Sequence, residues 1–377
     1  MKVFLLKLKE LFTIRALDRF VLGELTAPFF FGIMVFTTIL VAGGLLFRLA
    51  ELIIERGVSI GIITRIFLYS LPGIVALTIP MSCLLAALIG FSTMSANSEL
   101  VALKSAGLSF NRIIKSVLLV SVIVSLGAIV FNETLVPVSE KAAGNVMMYE
   151  VLRKSPVLFK EKVFLKQEED DELKRVVYVS KIAVGSGQMR DIRVQEYENG
   201  QLVRLTSAEK GEWSDGCWKI YNGRVYEIKD DVEASALFKF DTQQLNLNLN
   251  PDELKHSADN PDQMGILGLY KFIQTKNKMG EDPTKLWVAL HFRLAIPWAC
   301  LILAIVGAAL GSRPQRTNSS RGVGLSVIIV FVYYVIMSFS RSMGEAGLIP
   351  AFLSAWIANI VFLVLGVKLC QRANKLG

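Results

Sequence analysis

The chain has 377 residues, of which 53% are hydrophobic and 20% are charged, and its formal net charge is +8. An apolar fraction this high argues against an ordinary soluble fold and leaves room for several membrane spans. Four well-separated cysteines without a CxxC pair and only two histidines argue against a structural disulfide and a metal centre. The positive charge is distributed as membrane topology requires, so no nucleic-acid partner is expected.

Six apolar runs are each long enough to cross a bilayer as a helix, which takes about 20 residues. They lie at 28–47, 66–90, 113–136, 287–310, 323–340 and 350–369. Pro28 and Pro350 fall at predicted span starts, where the missing proline N–H costs little. Pro72, Pro80 and Pro297 fall inside spans, where they predict kinks.

Lysines and arginines are distributed unevenly between the two sides of these spans. One side holds Lys2, Lys7, Lys9, Arg15, Arg19, Lys104, Arg112, Lys115, Arg313, Arg316, Arg321, Lys368, Arg372 and Lys375. The opposite short loops hold Arg48, Arg56, Arg65 and Arg341, partly balanced by Glu51, Glu55 and Glu345. The positive-inside rule therefore places both termini in the cytoplasm and the segment 137–286 outside.

The opening segment 1–27 mixes phenylalanine and leucine with basic residues. This composition fits an amphipathic helix lying on the inner leaflet. It equally fits a basic leader that continues into the first span. The first apolar stretch is long and lacks a small-residue cleavage site, so no cleavable signal peptide is expected.

The outer segment changes from long apolar runs to alternating ones. Stretches such as "CWKIYNGRVYEI" and "FKFDTQQLNLNLN" predict strands, and Asn199-Gly200 and Asn222-Gly223 predict hairpin turns. Short strands with regular turn signals indicate an all-β sandwich or roll. The predicted fold is an α-helical integral membrane protein with six transmembrane helices (3+3) and an inserted all-β domain. The domains are 1–136, 137–286 and 287–377, and the stretch 251–285 is irregular or helical.

The chain lacks a recognisable energy source for transport. One G-x-x-x-x-G match, Gly211 to Gly216, is followed by Cys217-Trp218 instead of Lys-Ser/Thr, so it cannot clamp a nucleotide phosphate. The centres of the spans carry no Asp, Glu, Lys or Arg, which argues against a proton- or sodium-driven carrier. Ion coupling through backbone carbonyls near Pro72 or Pro80 stays open.

A short polar helix is predicted between the second and third spans, at 97–107. Ser95 or Asn97 could cap its start, Glu99 lies in its first turn, and Gly107 can end it. The apolar residues of this helix recur at i, i+3 spacing, namely Leu100, Leu103 and Ala106. A capped helix at this place could dock a soluble motor, or it could merely connect two spans.

The stretch "IPMSCLLAALIGFSTMSANSELVALKSAGLSFNRI" at 79–113 resembles the permease subunits of the lipopolysaccharide export ABC transporter. It carries the family's Pro-rich second span, Ser98-Glu99-Leu100, Ala106-Gly107 and Arg112. "LDRFV" at 17–21 resembles the family's start. Residues 291–311 and 340–359 resemble its fourth span and its last loop and span. The resemblance implies that the β domain is the family's jelly-roll-like periplasmic domain, and it leaves open which of two sister permeases the chain is.

The resemblance implies a set of partners. Two permeases, either two copies of this chain or one with a sister, would assemble with a dimer of a cytoplasmic ABC ATPase that binds the ATP, so no cofactor is expected in this chain. Lipopolysaccharide would enter a cavity between the permeases from the outer leaflet of the inner membrane. It would then pass to the β domain and to periplasmic bridge proteins built from similar β-jelly-rolls.

Two groups of candidate site residues follow from this resemblance. Residues 97–107 would be the coupling helix, and Glu99 matches the family's ATPase-contacting glutamate. The candidate coupling residues are Ser98, Glu99, Leu100, Leu103, Lys104 and Gly107.

The candidate substrate-contacting residues are Arg48, Glu51, Phe36 and Phe47. Arg48 could meet a phosphate at the outer end of the first span, or its head could simply reach the membrane interface. Phe36 could equally face lipid or a neighbouring helix. Two other functions stay open from the sequence: a permease for another lipid or lipoprotein, and a non-transporting scaffold for the β domain.

Overall fold

The computed structural model describes residues 16–152, 159–169, 172–183, 188–198, 201–214, 217–229, 233–245, 261–312 and 320–375. The first half of the predicted amphipathic segment, Arg313, Arg316 and the stretch 251–260 lie outside these described residues. The chain divides into two compact units, Met148–Leu286 and the remainder on either side of it, Met1–Met147 with Trp287–Gly377.

The first unit is helical and contains both halves of the predicted membrane region. Within the described residues, six helices are long and apolar enough to cross a membrane, as the sequence predicts. They are α1 Ala16–Leu40, which continues through a π-helical turn Val41–Leu45 into α2 Leu46–Arg56, then α3 Ile60–Ala96, α5 Phe110–Asn145 followed by a π-helical turn Val146–Val151, α7 Thr284–Gly311, α8 Ser320–Glu345 and α9 Ala351–Lys375. A short helix, α4 Glu99–Ser105, connects α3 to α5.

Pro28 lies inside α1 and does not begin it, so the predicted start of the first span is wrong. The helix begins twelve residues earlier, at Ala16. A proline at this position removes the N–H that would reach the Glu24 carbonyl. Helix α3 passes close to this carbonyl, because a Cβ built on Gly90 would lie 3.1 Å from Glu24 O. Pro72, Pro80 and Pro297 lie inside α3 and α7, as predicted.

Helices α3 and α7 form the centre of the first unit. In their most apolar 18-residue windows, 72% and 67% of the residues are buried, against 11% in the first span and 17% in α8. The core between them includes Leu84, Leu85, Leu303 and Val306, which are fully enclosed. The first span and α8 therefore present long apolar faces that this unit leaves uncovered.

A buried hydrogen-bond chain connects α8, α9 and α7. The Tyr333 hydroxyl donates to Asn359 Oδ1 at 2.9 Å, and Asn359 Nδ2 donates to the Ala295 carbonyl at 2.8 Å. Tyr333 and Asn359 are both almost fully enclosed. In an apolar surrounding, this chain satisfies polar groups that have no water available.

We expect Asn359→Leu to destabilise the protein by about 1 kcal/mol, because it leaves the Tyr333 hydroxyl buried without its acceptor. Adding Tyr333→Phe should recover part of this loss, since the unsatisfied donor is then removed. Thermal unfolding of the two single variants and the double variant measures the coupling. Strictly additive effects would show that the two side chains do not stabilise each other.

The second unit is the predicted β domain. Its described strands form one antiparallel sheet of six strands in the order β1-β2-β3-β4-β5-β6. The strands are β1 Phe159–Glu169, β2 Glu172–Ala183, β3 Gln188–Glu198, β4 Gln201–Ser214, β5 Cys217–Lys229 and β6 Glu233–Leu245. Each strand pairs with the next one in the chain, so the sheet is a meander.

One face of this sheet is buried. Trp218, Ile192, Ile220 and Val179 are at most 1% exposed, and Met279 packs against the same cluster. Met279 follows helix α6, Ile266–Lys278, which confirms the helical alternative for part of the predicted stretch 251–285. Beyond α6, Asp282 Oδ1 accepts hydrogen bonds from the Thr284 hydroxyl and N–H at the start of α7, and these bonds lower the pKa of its carboxyl group.

Of the two predicted hairpin turns, Asn199-Gly200 lies outside the described residues, and Asn222-Gly223 is wrong. Glu198 at the end of β3 pairs with Gln201 at the start of β4. Asn222-Gly223 instead lies inside β5, where Asn222 has a φ of 52° and Gly223 pairs with both Ala208 and Phe240. The Phe240 ring occupies the space that a Cβ at Gly223 would need, so this glycine serves packing.

Candidate functional site

The polar segment between α3 and α5 forms a shorter helix than predicted, Glu99–Ser105. Helix α3 continues to Ala96, and Asn97 ends it by donating its N–H to Thr93 O at 2.9 Å. Ser98 then adopts a left-handed conformation with a φ of 61°, and its side chain does not cap the new helix. The predicted capping by Ser95 or Asn97 is therefore wrong, because these residues still belong to the end of α3.

The predicted end of the short helix at Gly107 is confirmed. Gly107 has a φ of 83°, which favours glycine. Its N–H donates to Lys104 O at 2.9 Å, and the Leu108 N–H donates to Leu103 O at 3.2 Å. This pair of bonds is a Schellman motif, so the helix ends abruptly and the chain turns directly into α5.

The apolar side of α4 faces the interior of the first unit. Leu100 is 3% exposed, and Leu103 packs against the same core, which includes Phe91, Met94 and Phe110. Leu100 and the partly exposed Leu103 therefore hold the helix in place, and their contact with a partner stays a prediction. The i, i+3 spacing correctly groups Leu100 with Leu103, but it also includes Ala106, which is exposed.

The opposite side of α4 is an exposed surface centred on Val101, a residue that the sequence pattern did not indicate; the candidate Ser98 lies on it. Val101 is 57% exposed, and the residues beside it are exposed as well: Ser98, Ala102, Ser105 and Ala106. We call these five residues the α4 surface. An apolar side chain at its centre, ringed by small residues, gives a second protein a place for close contact.

Glu99 lies at the edge of this surface and is partly buried. Its Oε1 accepts a hydrogen bond from Asn97 Nδ2 at 3.2 Å. Its Oε2 is enclosed and has no hydrogen-bond partner among the residues that the structure describes. An enclosed carboxylate oxygen without a donor is costly, so a donor from outside these residues would stabilise the site.

The Lys104 side chain is partly buried against two other elements of the first unit. Its Nζ donates to Ala373 O at 3.2 Å and lies 5.9 Å from the centre of the Phe110 ring. Ala373 is in the last turn of α9, whose carbonyls attract a positive charge. Lys104 thus connects α4 to the end of the last helix.

The candidate substrate-contacting residues fall into two environments. Arg48, Glu51 and Phe47 are exposed on α2, and Phe47 keeps 73% of its surface accessible. Phe36 is only 4% exposed and packs in a core with Met81, Leu84 and other side chains. The structure therefore brings Arg48, Glu51 and Phe47 onto one helix and removes Phe36 from any surface where a lipid could touch it.

The described residues hold no group of three or more His, Cys, Asp or Glu side chains that could bind a metal ion. The charged side chains of α4 are instead two single groups, Glu99 in its first turn and Lys104 in its last turn.

Comparison with known proteins gives a consistent result. The family model for the lipopolysaccharide export system permease LptF/LptG matches residues 19–372. The lipopolysaccharide export system permease protein LptG of Escherichia coli (strain K12) is 22% identical over 315 residues, which cover 81% of this chain and 84% of the relative. The LptG protein of Haemophilus influenzae is 22% identical over 291 residues, which cover 76% of this chain and 79% of the relative.

Proposed function

The chain belongs to the LptF/LptG family of lipopolysaccharide export system permeases, and from this membership we propose that it is the membrane subunit of an ABC transporter driven by a separate ATPase. It is a multi-pass protein of the inner membrane. In the proposed transporter, the chain takes lipopolysaccharide from this membrane and passes it to the β unit and a periplasmic bridge. ATP is bound and hydrolysed by the partner ATPase.

The observation that carries this proposal is the α4 surface. The short helix is fixed from behind by Leu100, Leu103 and Lys104, while its outer side, centred on Val101, is uncovered. A rigid helix with one free face between two spans can transmit displacement from a soluble motor into both. Glu99, at the edge of this face, offers a carboxylate to a basic group of the motor.

Copurification tests this proposal. The tagged chain, expressed with its genomic neighbours and purified in detergent, should bring a soluble ATPase with it, and reconstitution with the chain should stimulate its hydrolysis. Bound lipid extracted from the complex should be lipopolysaccharide. A complex without any ATPase would support a membrane scaffold, and a complex with an ATPase but another lipid would support a different lipid permease.

The proposal requires α4 in the cytoplasm and the β unit outside, as the charge distribution predicts. Ser105 on α4 and Glu209 on β4 are both exposed and suit cysteine labelling in a background without the native cysteines. We expect a membrane-impermeant thiol reagent to label Glu209→Cys but not Ser105→Cys in intact spheroplasts. Labelling of Ser105→Cys alone would show that the orientation is the opposite of the proposed one.

We further propose that the second permease covers the long apolar faces of the first span and α8. On α2, Arg48 would meet a phosphate of the lipid, with Phe47 beside its acyl chains. Glu51 would limit the approach of other anions.

At the edge of the described sheet, β6 exposes Leu237 and Phe238, which suits docking of a bridge protein by strand addition. A photo-crosslinking residue at Phe238 should capture that partner, while the same residue at the buried Val225 tests passage of lipid through the sheet's interior. Lipid capture at Val225 that needs ATP would support conveyance, whereas capture independent of ATP would count against it.

A further inference from the structure

Three polar side chains connect the cytoplasmic ends of α1 and α5, by the orientation proposed above. Asp18 lies in the first turn of α1, and Arg112 and Ser116 lie in the first two turns of α5. Arg112 Nη1 and Nη2 donate to the two carboxylate oxygens of Asp18 at 2.8 and 3.2 Å. The Ser116 hydroxyl donates to Asp18 Oδ1 at 2.5 Å. We call these three side chains the Asp18 cluster.

The geometry of the Asp18 cluster makes it a directional link. A bidentate arginine–carboxylate pair fixes both the distance and the relative orientation of its partners, unlike a single contact between two point charges. The Asp18 and Arg112 side chains are only 16% and 25% exposed, so water screens their attraction less than it does on an open surface. The cluster therefore differs from surface pairs, which contribute little.

Two members of the Asp18 cluster, Arg112 and Ser116, follow α4 closely in the sequence. Four residues, Ala106 to Ser109, separate α4 from the start of α5, and the tight Gly107 turn leaves them little slack. Phe110 and Ile113 in the first turn of α5 belong to the same buried core as Leu100 of α4. A displacement of α4 must therefore move the first turn of α5, and Arg112 with it.

Beyond the cluster, a cavity lies among α1, α3, α5 and α7. Its volume is about 110 Å³, and its walls include Leu22 and Thr26 of α1 and Val117 and Ser121 of α5. These residues lie about one to two and a half turns further along each helix than Asp18 and Arg112. Apolar side chains of both helices also share one core beside this cavity, in which Val21 of α1 and Ile113 of α5 are fully enclosed. To these apolar contacts the Asp18 cluster adds a hydrogen-bonded link of fixed orientation at the helix ends.

We propose that Asp18, Arg112 and Ser116 are positioning residues that make the first membrane helix follow displacements of α4. This inference rests on the proposed function, because the displacement comes from the partner ATPase. In the proposed transporter, α4 receives the movement, Arg112 transfers it to Asp18, and α1 changes its tilt. The uncovered apolar face of α1 then moves relative to whatever lies against it.

The experiment uses the complete transporter reconstituted in liposomes, with ATP hydrolysis and lipopolysaccharide export measured on the same sample. The variants are Arg112→Gln, Arg112→Lys, and the exchange of Asp18→Arg with Arg112→Asp. Arg341→Gln is the matched control, because it breaks the ion pair with Glu345 at 2.7 Å inside α8 and a contact with the Phe292 ring of α7, and neither partner lies on α1 or α5. Thermal unfolding of each complex is recorded alongside.

We expect Arg112→Gln to retain the ATPase and its hydrolysis, but to export about 2- to 30-fold less lipopolysaccharide per ATP, the range for residues along a coupling network. Arg112→Lys should fall between it and the wild type, because a lysine keeps the charge without the bidentate geometry. The charge exchange should restore a large part of the loss. Arg341→Gln should export normally.

Several results would overturn the inference. Unchanged export per ATP in Arg112→Gln would do so, as would a fall in export that merely parallels a fall in thermal stability. If Arg112→Gln does not insert, unchanged export per ATP in Arg112→Lys has the same meaning. Failure of the wild-type chain to bind any ATPase is a separate outcome, since it removes the proposed function itself.

Discussion

Glu99→Lys is expected to be inserted at normal levels and to lose the ATPase on purification. In its own chain, the Glu99 carboxylate near the start of α4 contributes a few tenths of a kcal/mol to about 1 kcal/mol. At an interface, removing one partner of a buried charge pair costs roughly 2–5 kcal/mol, which weakens binding by about 30-fold or more. The lysine adds repulsion against the basic group that we propose on the ATPase.

Glu209→Lys is the matched control, because it makes the same charge reversal at an exposed position of β4. It should leave ATPase binding unchanged. Titration of the purified ATPase into each reconstituted variant gives the affinities directly. Wild-type affinity and wild-type transport in Glu99→Lys would mean that α4 is only a connector. A compensating acidic residue in the ATPase that restores binding would identify the partner of Glu99.

The membrane spans and the β unit could be predicted because each depends on a local pattern. About 20 consecutive apolar residues can bury themselves only in a bilayer or a large core, whatever their neighbours are. Alternation of apolar and polar residues in stretches such as 217–228 likewise specifies a strand with one buried face. These patterns can be recognised without knowledge of the tertiary contacts, and for this reason the predicted architecture agrees with the structure.

Helix boundaries and turns were predicted less well, because tertiary contacts decide them. Pro28 was expected to begin the first span, but proline is tolerated inside a membrane helix when neighbouring groups satisfy the freed backbone. Asn222-Gly223 has the sequence of a hairpin turn, yet the Phe240 ring of the next strand occupies the space beside Gly223. The local sequence indicates neither the helical neighbours of Pro28 nor the position of the Phe240 ring.

The candidate site was predictable in position but not in orientation. The residue types at 97–107 indicated a short capped helix, and Gly107 ends it as expected. Which face of α4 is covered depends on Phe91 and Phe110 from two other helices, so the local sequence does not show that Leu100 is buried and Leu103 partly buried. The Asp18–Arg112 pair joins residues 94 positions apart in the chain, a distance at which no periodicity operates.

The close approach between helices α3 and α7 gives the second large expected effect, a loss of stability when a methyl group is added. A Cβ on Gly307 would lie 2.5 Å from Leu84 O and 3.1 Å from Leu88 N, and a Cβ on Gly311 would lie 2.5 Å from Leu88 O. These obstacles are backbone atoms of a central helix, which cannot rotate away as a side chain could. Small residues four apart are the usual means by which membrane helices approach this closely.

We therefore expect Gly307→Ala to destabilise the protein by about 1–3 kcal/mol, the usual cost of overpacking a core, with a similar effect for Gly311→Ala. Gly127→Ala in α5 is the matched control: its Cβ would meet no atom within 4 Å, so its higher helix propensity should stabilise the chain by up to about 1 kcal/mol. Thermal unfolding in the same detergent compares the three variants. Opposite signs for Gly307→Ala and Gly127→Ala are the expected result, because both changes add one methyl group and only one of them meets a backbone. Equal stabilisation by both would show that α3 and α7 lie further apart in the membrane than this packing requires.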